Sequence, residues 1–497
     1  MEVKQGSHQP VFGIQILGSD GKTPVNLTSM TSAVFRMRPA NGTALTVTDQ
    51  PMTVANASLG ELFYQWQDGN TATPGRYLAQ VQCTFPTGIL TVPYEYNRIL
   101  IAQNLQPIGG LDLLASTFVR IVEDFGADPT GVGDSTSAFQ SAIAYLNTAP
   151  SGVAGGVIFV ATGTYRVNLT IASAAGITFL ASGQVGLVSA DNVSDTVYLS
   201  GTTNNCVFSG FWVVIGPSSG TGACVHMNVG FNHMGIAFDY LQAQGGYNGI
   251  VVDACISARF ARLEVDSPRS DGVLLTGLGG GNQVNNVWIH NYVTNCPGQT
   301  AFRALQGSSV RIDQADVEGC GAGFVFSPSG SNQTTFFSLN HVYINGMTSG
   351  NGITIGGGPA NSTSLVSLHN IDSVNATVGS GIVISSSALW IGLNDVKCLG
   401  NAAHGIVVNG AITDLVASNC ICNGNHNVGF YINGAAQRFA LNSVIAQGNT
   451  NQGIYVPAVA ADNYTIQGCI AYGNGVTPGV LDQGTGTHKS VTSNVSY

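Results

Sequence analysis

The sequence predicts an all-β chain built mainly as a parallel β-helix, and three observations carry that expectation. The first is a glycine that recurs every 22 to 29 residues in the second half: Gly249, Gly272, Gly323, Gly352, Gly381, Gly405, Gly429 and Gly453. The second is that each of them opens a short β-type run, such as Gly381-Ile-Val-Ile, Gly405-Ile-Val-Val and Gly429-Phe-Tyr-Ile. The third is composition: 65 glycines and only 8% charged residues in 497, against about 25% charged in an ordinary soluble domain. A period in this range marks stacked supersecondary units, each burying its apolar face against the next. No helical period runs inside the units, so they read as strand-and-turn coils. The series skips one glycine near Thr300-Ala-Phe, where Ala301 stands in. A stack of such coils offers a long flat flank suited to an extended polymer.

Residues 1–105 read differently. Val11-Phe-Gly-Ile-Gln-Ile-Leu alternates at period two and runs into the turn Gly18-Ser-Asp-Gly21. Ala33-Val-Phe-Arg-Met-Arg alternates again before Pro39-Ala-Asn-Gly42. Runs at 61–66, 75–83 and 97–101 complete a set of short strands, which predicts a small antiparallel β-sandwich. The segment resembles the N-terminal domain of phage baseplate upper proteins. The resemblance rests on Gly13-Ile-Gln-Ile, Phe35-Arg-Met-Arg, Pro74-Gly-Arg-Tyr-Leu-Ala-Gln-Val and Tyr94-Glu-Tyr-Asn-Arg-Ile-Leu-Ile. It implies a module that attaches a distal part to a virion; a generic accessory β-sandwich is the alternative. Residues 106–120 form a linker, with 111–116 as a short helix.

Residues 121–497 carry the second motif. Val122-Glu-Asp-Phe-Gly-Ala127 precedes Gly131-Val-Gly-Asp-Ser-Thr-Ser-Ala-Phe-Gln-Ser-Ala-Ile143, followed by Gly155-Gly-Val-Ile-Phe-Val-Ala-Thr-Gly-Thr-Tyr-Arg-Val167. Thr136 or Ser137 is placed to cap a helix whose apolar face is Ala138, Phe139, Ala142, Ile143 and Leu146. The first coil of a solenoid has an unpaired edge and an open core, and such a helix plugs it. Asp124, Asp128 and Asp134 read as turn and cap residues. The whole pattern resembles the opening of the pectate-lyase-like right-handed β-helix superfamily, with Ala161 standing where that family usually has proline. The resemblance implies the fold and brings no catalytic residue with it.

The net charge of −10 without a basic stripe argues against nucleic-acid binding, and no apolar run is long enough to insert into a bilayer. Met1-Glu-Val-Lys-Gln lacks the charged-then-apolar start of a signal peptide, so folding in a cytoplasm is expected. The ten cysteines include no C-x-x-C pair; Cys296, Cys320, Cys420 and Cys469 fall at one place in the repeats and read as small core residues. No cofactor or metal is expected.

Charge is concentrated between Asp239 and Glu318, with eight acidic and five basic residues in eighty, against eight charges in the 179 that follow. Taking Phe238, Val265, Val293, Val317 and Val342 as the buried position of successive coils, the next residues face outward as Asp239, Asp266, Thr294, Glu318 and Tyr343. The preceding outward positions are Ala237, Glu264, Tyr292, Asp316 and His341. Coils lie about 4.8 Å apart and residues i and i+2 about 6.6 Å apart, so this grid offers carboxylate pairs at the separations glycosidases use. Asp239, Asp266 and Glu318 are therefore the candidate catalytic residues. Glu264, Tyr292, Asp316, His341, Tyr343, Arg262 and Arg311 are the candidate glycan-binding residues; surface ion pairing is the alternative for the same patch. A slip of one residue in the alignment inverts every outward assignment.

Together the two resemblances imply a bacteriophage tailspike or receptor-binding tail fibre, a homotrimer located in the virion. Its expected partners are host surface polysaccharide and other tail or baseplate proteins. If an enzyme, it is a glycoside hydrolase acting as a depolymerase, with a lyase less favoured. A non-enzymatic virion component, such as a head fibre, decoration protein or baseplate part, remains the second reading.

Overall fold

The recurring glycine marks the point where adjacent coils touch. In the computed structural model, a Cβ added to Gly405 would lie 2.6 Å from the Gly429 carbonyl oxygen, and one added to Gly429 would lie 2.6 Å from that of Gly453. The glycines thus stack one above the next, and little room is left for a side chain between coils at this column. Ala301 does occupy the column, between Gly272 and Gly323, as the register Val273↔Phe302 and Phe302↔Phe324 requires. Gly405→Ala or Gly429→Ala is expected to cost about 1–3 kcal/mol through overpacking, read as a lowered melting temperature.

The structure describes residues 2–4, 12–17, 22–40, 44–67, 70, 73, 75–92, 98–102, 118–148, 155–172, 174–228, 233–277, 284–328, 334–356, 363–385, 388–459 and 461–497. The chain divides into two compact units, Met1–Leu111 and Asp112–Tyr497.

In the first unit, strands Ser32–Pro39, Val47–Pro51, Gly75–Phe85, Gly88–Val92 and Arg98–Ala102 form antiparallel pairs, and Glu2–Lys4 adds in parallel to Arg98–Ala102. A second antiparallel sheet holds Phe12–Gln15, Thr53–Asn56 and Glu61–Tyr64. Both sheets contribute to one core. Phe35 from the first stacks on Tyr64 from the second at 4.4 Å, with Trp66 edge-on to both. The turn at 18–21, residues 41–42, 74 and 94–97 of the quoted motifs, and the helix at 111–116 lie outside the described residues.

The second unit is a parallel β-solenoid with a 22-stranded sheet along one side and a 13-stranded sheet along the other. The helix Thr136–Asn147 buries Ala138, Phe139, Ala142, Ile143 and Leu146 at its start. Its N-cap position is Ser135, which makes no side-chain cap bond, so neither Thr136 nor Ser137 caps it; Asp134, one residue earlier, accepts from the Thr136 amide at 2.8 Å. Asp128 accepts from the Thr130 amide at 2.9 Å and the Gly133 amide at 2.6 Å, closing the turn before it. The core runs as stacks: Phe179, Phe208, Phe238 and Phe260 lie face to face in successive coils. All ten cysteines are buried and free. Later turns are held by a buried ladder in which the Nδ2 of Asn401, Asn425 and Asn449 each donates to the next asparagine's Oδ1 at 2.9–3.0 Å.

The long strands of the larger sheet bend where single residues adopt the left-handed conformation. Asn291, Gln314, His341, Asn370 and Asp395 form one such column, with φ between 52° and 62°. Ser309, Phe336, Leu365 and Trp390 form another. Each bend splits a strand into facets and shifts its in–out alternation by one. In Val287–Asn295 the inward residues are Val287 and Ile289 before Asn291, then Tyr292 and Thr294 after it.

On the 13-stranded side, His226 is held between two carboxylates, Asp195 at 2.8 Å from Nδ1 and Asp253 at 2.9 Å from Nε2. Burial disfavours the imidazolium, but the two carboxylates overcome it and raise the His226 pKa to about 9. A histidine with a raised pKa stabilises the fold fully below its ordinary value, about 6.5, and loses that contribution as pH rises through about 9. Melting temperature is therefore expected to fall between those limits, by the equivalent of roughly 2–3 kcal/mol, and His226→Gln to flatten that dependence.

Candidate active site

The register of the second facet decides which side chains meet. Val265 pairs with Thr294, and Thr294 with Val317, so the buried column is Ala243, Val265, Thr294, Val317 and Ile344. Thr294 is 3% exposed and Val293 40%, the reverse of the sequence expectation. The outward columns are therefore Gln242–Glu264–Val293–Asp316–Tyr343 and Gln244–Asp266–Asn295–Glu318–Asn345.

Four of the predicted residues converge. Glu264, Asp266, Asp316 and Glu318 line one open hollow of about 450 Å³, together with Gln242, Val293, Thr294 and Asn295. Within a strand the two acidic residues sit at i and i+2, with Cα atoms about 6.6 Å apart, and the two strands are separated by the intervening Val293–Asn295 strand, a backbone spacing of about 9.6 Å. The walls differ. Glu264 accepts from Tyr240 Oη at 2.8 Å and from Arg262 at 2.7 Å, and the Arg262 guanidinium lies 4.3 Å over the Tyr240 ring. Asp266 accepts from Ser267 Oγ at 3.0 Å. Among the described residues Asp316 has no such donors; burial, with Glu318 beside it, raises its pKa.

The remaining predicted residues lie outside this hollow. Asp239 follows Phe238, which pairs with Phe260, and so stands across the bend from Ala243 and Val265. Its carboxylate accepts from Ser209 Oγ at 2.7 Å and the Gly210 amide at 3.3 Å, a structural role outside the hollow. Tyr292 is fully buried, in register with Leu263, and its hydroxyl donates to the Ala301 carbonyl at 2.6 Å; no sugar reaches its ring. His341 occupies a bend, its Nε2 3.2 Å from Asn370 Nδ2. Arg311 points from the neighbouring facet and pairs with Asp313 at 2.7 Å. Tyr343 does face outward on the second facet, directly beside Asp316. Gln242, Asn295 and Tyr240 were missed, because their roles follow from the register alone.

Residues 119–325 match the family model of the rhamnogalacturonase A/epimerase, pectate lyase-like proteins. No curated protein matches the chain by sequence. Among solved structures, the chain is similar to the A-module of mannuronan C-5 epimerase AlgE6 from Azotobacter vinelandii. That match has 16% identity over 76% of this chain and 99% of that one, with a TM-score of 0.39. It is also similar to the tailspike of Escherichia coli bacteriophage HK620 in complex with a pentasaccharide, at 14% identity over 78% and 81%, TM-score 0.43. A third is ORF18 of Geobacillus virus E2, at 13% identity over 83% and 68%, TM-score 0.33.

Proposed function

We propose that this chain is a receptor-binding spike or fibre of a bacteriophage tail that binds host surface polysaccharide on the second facet and hydrolyses it in the acidic hollow. The observation that carries the reading is the convergence of four carboxylates from two strands in one open hollow on an otherwise charge-poor solenoid. Inverting glycosidases hold their two carboxyl groups about 6.5–9.5 Å apart, a spacing open to the in-strand pair Asp316/Glu318, whose Cα atoms lie about 6.6 Å apart. Asp316, whose pKa is raised by burial and then by the neighbouring Glu318, is the acid that donates its proton to the leaving glycosidic oxygen. Glu318 takes a proton from the water that attacks the anomeric carbon as that bond breaks. Glu264 and Asp266 form the opposite wall, where negative charge stabilises the oxocarbenium-like transition state.

The N-terminal β-sandwich would dock on the remainder of the virion, in keeping with its resemblance to baseplate upper proteins. A homotrimer is supported by Phe336, Leu365 and Trp390. These three side chains are exposed in successive coils, each on a left-handed backbone that favours asparagine or glycine. Ser338, Ser367 and Gly392 form the neighbouring outward column, a shallow trough with the same axial period as the ridge.

The test is incubation of the purified protein with surface polysaccharide from its host, read by reducing-end release and mass spectrometry. Discrete oligosaccharides establish a depolymerase, and an unsaturated product sugar replaces hydrolysis with elimination. Binding without release leaves an adhesin. Neither binding nor release leaves a structural virion component.

A further inference from the structure

The acidic hollow continues along the solenoid axis into a second one. This is a hollow of about 280 Å³ that includes His341, Tyr343, Asn370, Asp372, Asp395 and Lys397. Asp316, Tyr343, Asp372 and Lys397 follow one another in register, so a single outward column joins the two. The joined cleft holds the four carboxylates of the first hollow plus Asp372 and Asp395, against two cations. Neither cation is spare: Arg262 pairs with Glu264 at 2.7 Å and Lys397 with Asp372 at 3.0 Å. With Asp316 carrying its proton as the acid, five carboxylates against two cations still leave three net negative charges.

The other arginines of the charged segment are engaged elsewhere. Arg303 is bound to Asp271 at 3.0 Å on the 13-stranded side. Arg269 donates to the carbonyls of Pro217, Ser219 and Gly220. Arg259 stacks on Trp288 at 4.9 Å, and Arg311 pairs with Asp313. What lies among the carboxylates is uncharged: the amides of Gln242, Asn295 and Asn345, and the half-exposed ring of Tyr343. Amides and carboxylates bond sugar hydroxyls, and an exposed ring is a stacking platform; none of them neutralises a ligand carboxylate.

From this charge distribution we infer that the cleft takes a neutral polysaccharide and repels polymers of uronic or sialic acid. The inference rests on the glycan-binding reading above and names the substrate class of that same site. A polyanion laid along the column would set its carboxylates against protein carboxylates with no free cation between them, and like-charge contact at an interface costs several kcal/mol.

The experiment is affinity electrophoresis of the full chain through gels containing purified bacterial surface polysaccharides of known composition, some neutral and some bearing uronic or sialic acid. Salt is kept at about 10 mM, where charges act over about 30 Å. Each gel is run with millimolar calcium and with chelator, since a bridging cation is the route by which a polyanion could still bind. Tyr343→Ala and Asn345→Ala, both at outward positions, report whether retention uses this cleft. The expected result is retention by neutral polymers only, indifferent to calcium and weakened at least tenfold by either variant. Retention by an acidic polymer that either variant abolishes, with or without calcium, overturns the inference and leaves the glycan reading intact. Retention by no polymer overturns the glycan reading and this inference with it.

Discussion

Asp316→Asn and Glu318→Gln are each expected to lower oligosaccharide release by about 10²–10⁴-fold while leaving polymer retention largely unchanged. Both replacements keep side-chain volume and hydrogen-bonding capacity on an exposed facet, so the loss is one of proton transfer. The pH profile separates the two roles. Asp316 acts while protonated, and its pKa is raised by burial and then by Glu318, so activity falls as pH rises through that value. Glu318→Gln removes the neighbouring negative charge and is expected to move the alkaline limb to lower pH. Asp239→Asn is the internal control. Among the described residues its carboxylate receives hydrogen bonds from Ser209 and Gly210, outside the hollow, so release is expected to continue at an unchanged rate. Rates that stay at the parent level in both Asp316→Asn and Glu318→Gln would remove the hydrolytic reading.

The second large effect is on assembly. Replacing Phe336, Leu365 and Trp390 together with asparagine is expected to convert a trimer into a protomer of 51.3 kDa, measured by sedimentation or light scattering. Phe336 is 56% and Trp390 52% exposed. A left-handed backbone costs a residue with a bulky side chain about 1–2 kcal/mol, and asparagine relieves part of that. The triple variant should therefore keep or raise the melting temperature of the isolated protomer while association is lost. Contacts that merely support the fold would behave in the opposite way, lowering stability without changing mass. An unchanged trimer would place the subunit contact elsewhere.

Much of the architecture was legible in the sequence because a solenoid repeats its constraints. Gly405 and Gly429 announce themselves since every coil meets the same backbone-on-backbone approach, and Ala301 could be placed in the gap for the same reason. The helix Thr136–Asn147 was legible from its apolar face, although its start was not: in the run Asp134-Ser-Thr-Ser the choice is left to backbone geometry, and the N-cap fell at Ser135 with Asp134 holding the first helical amide. The charged segment was located from composition, and Glu264, Asp266, Asp316 and Glu318 do share a hollow.

The sequence by itself determined the coil, its period and the stretch in which the carboxylates are concentrated, because these depend on residue types repeated along one dimension. Tertiary structure alone decided which of those residues face each other. Asn291, Gln314 and His341 each take a left-handed turn inside a continuous strand, and each shifts the inward–outward alternation by one. That step buried Tyr292 and exposed Val293, and the coil-to-coil register left Asp239 on another facet and set Asp316, rather than Glu318, beside Tyr343. Counting by twos along a strand cannot register such a bend, since asparagine, glutamine and histidine also occur in straight strands. Only the pairing of each coil with the next reveals where the parity changes.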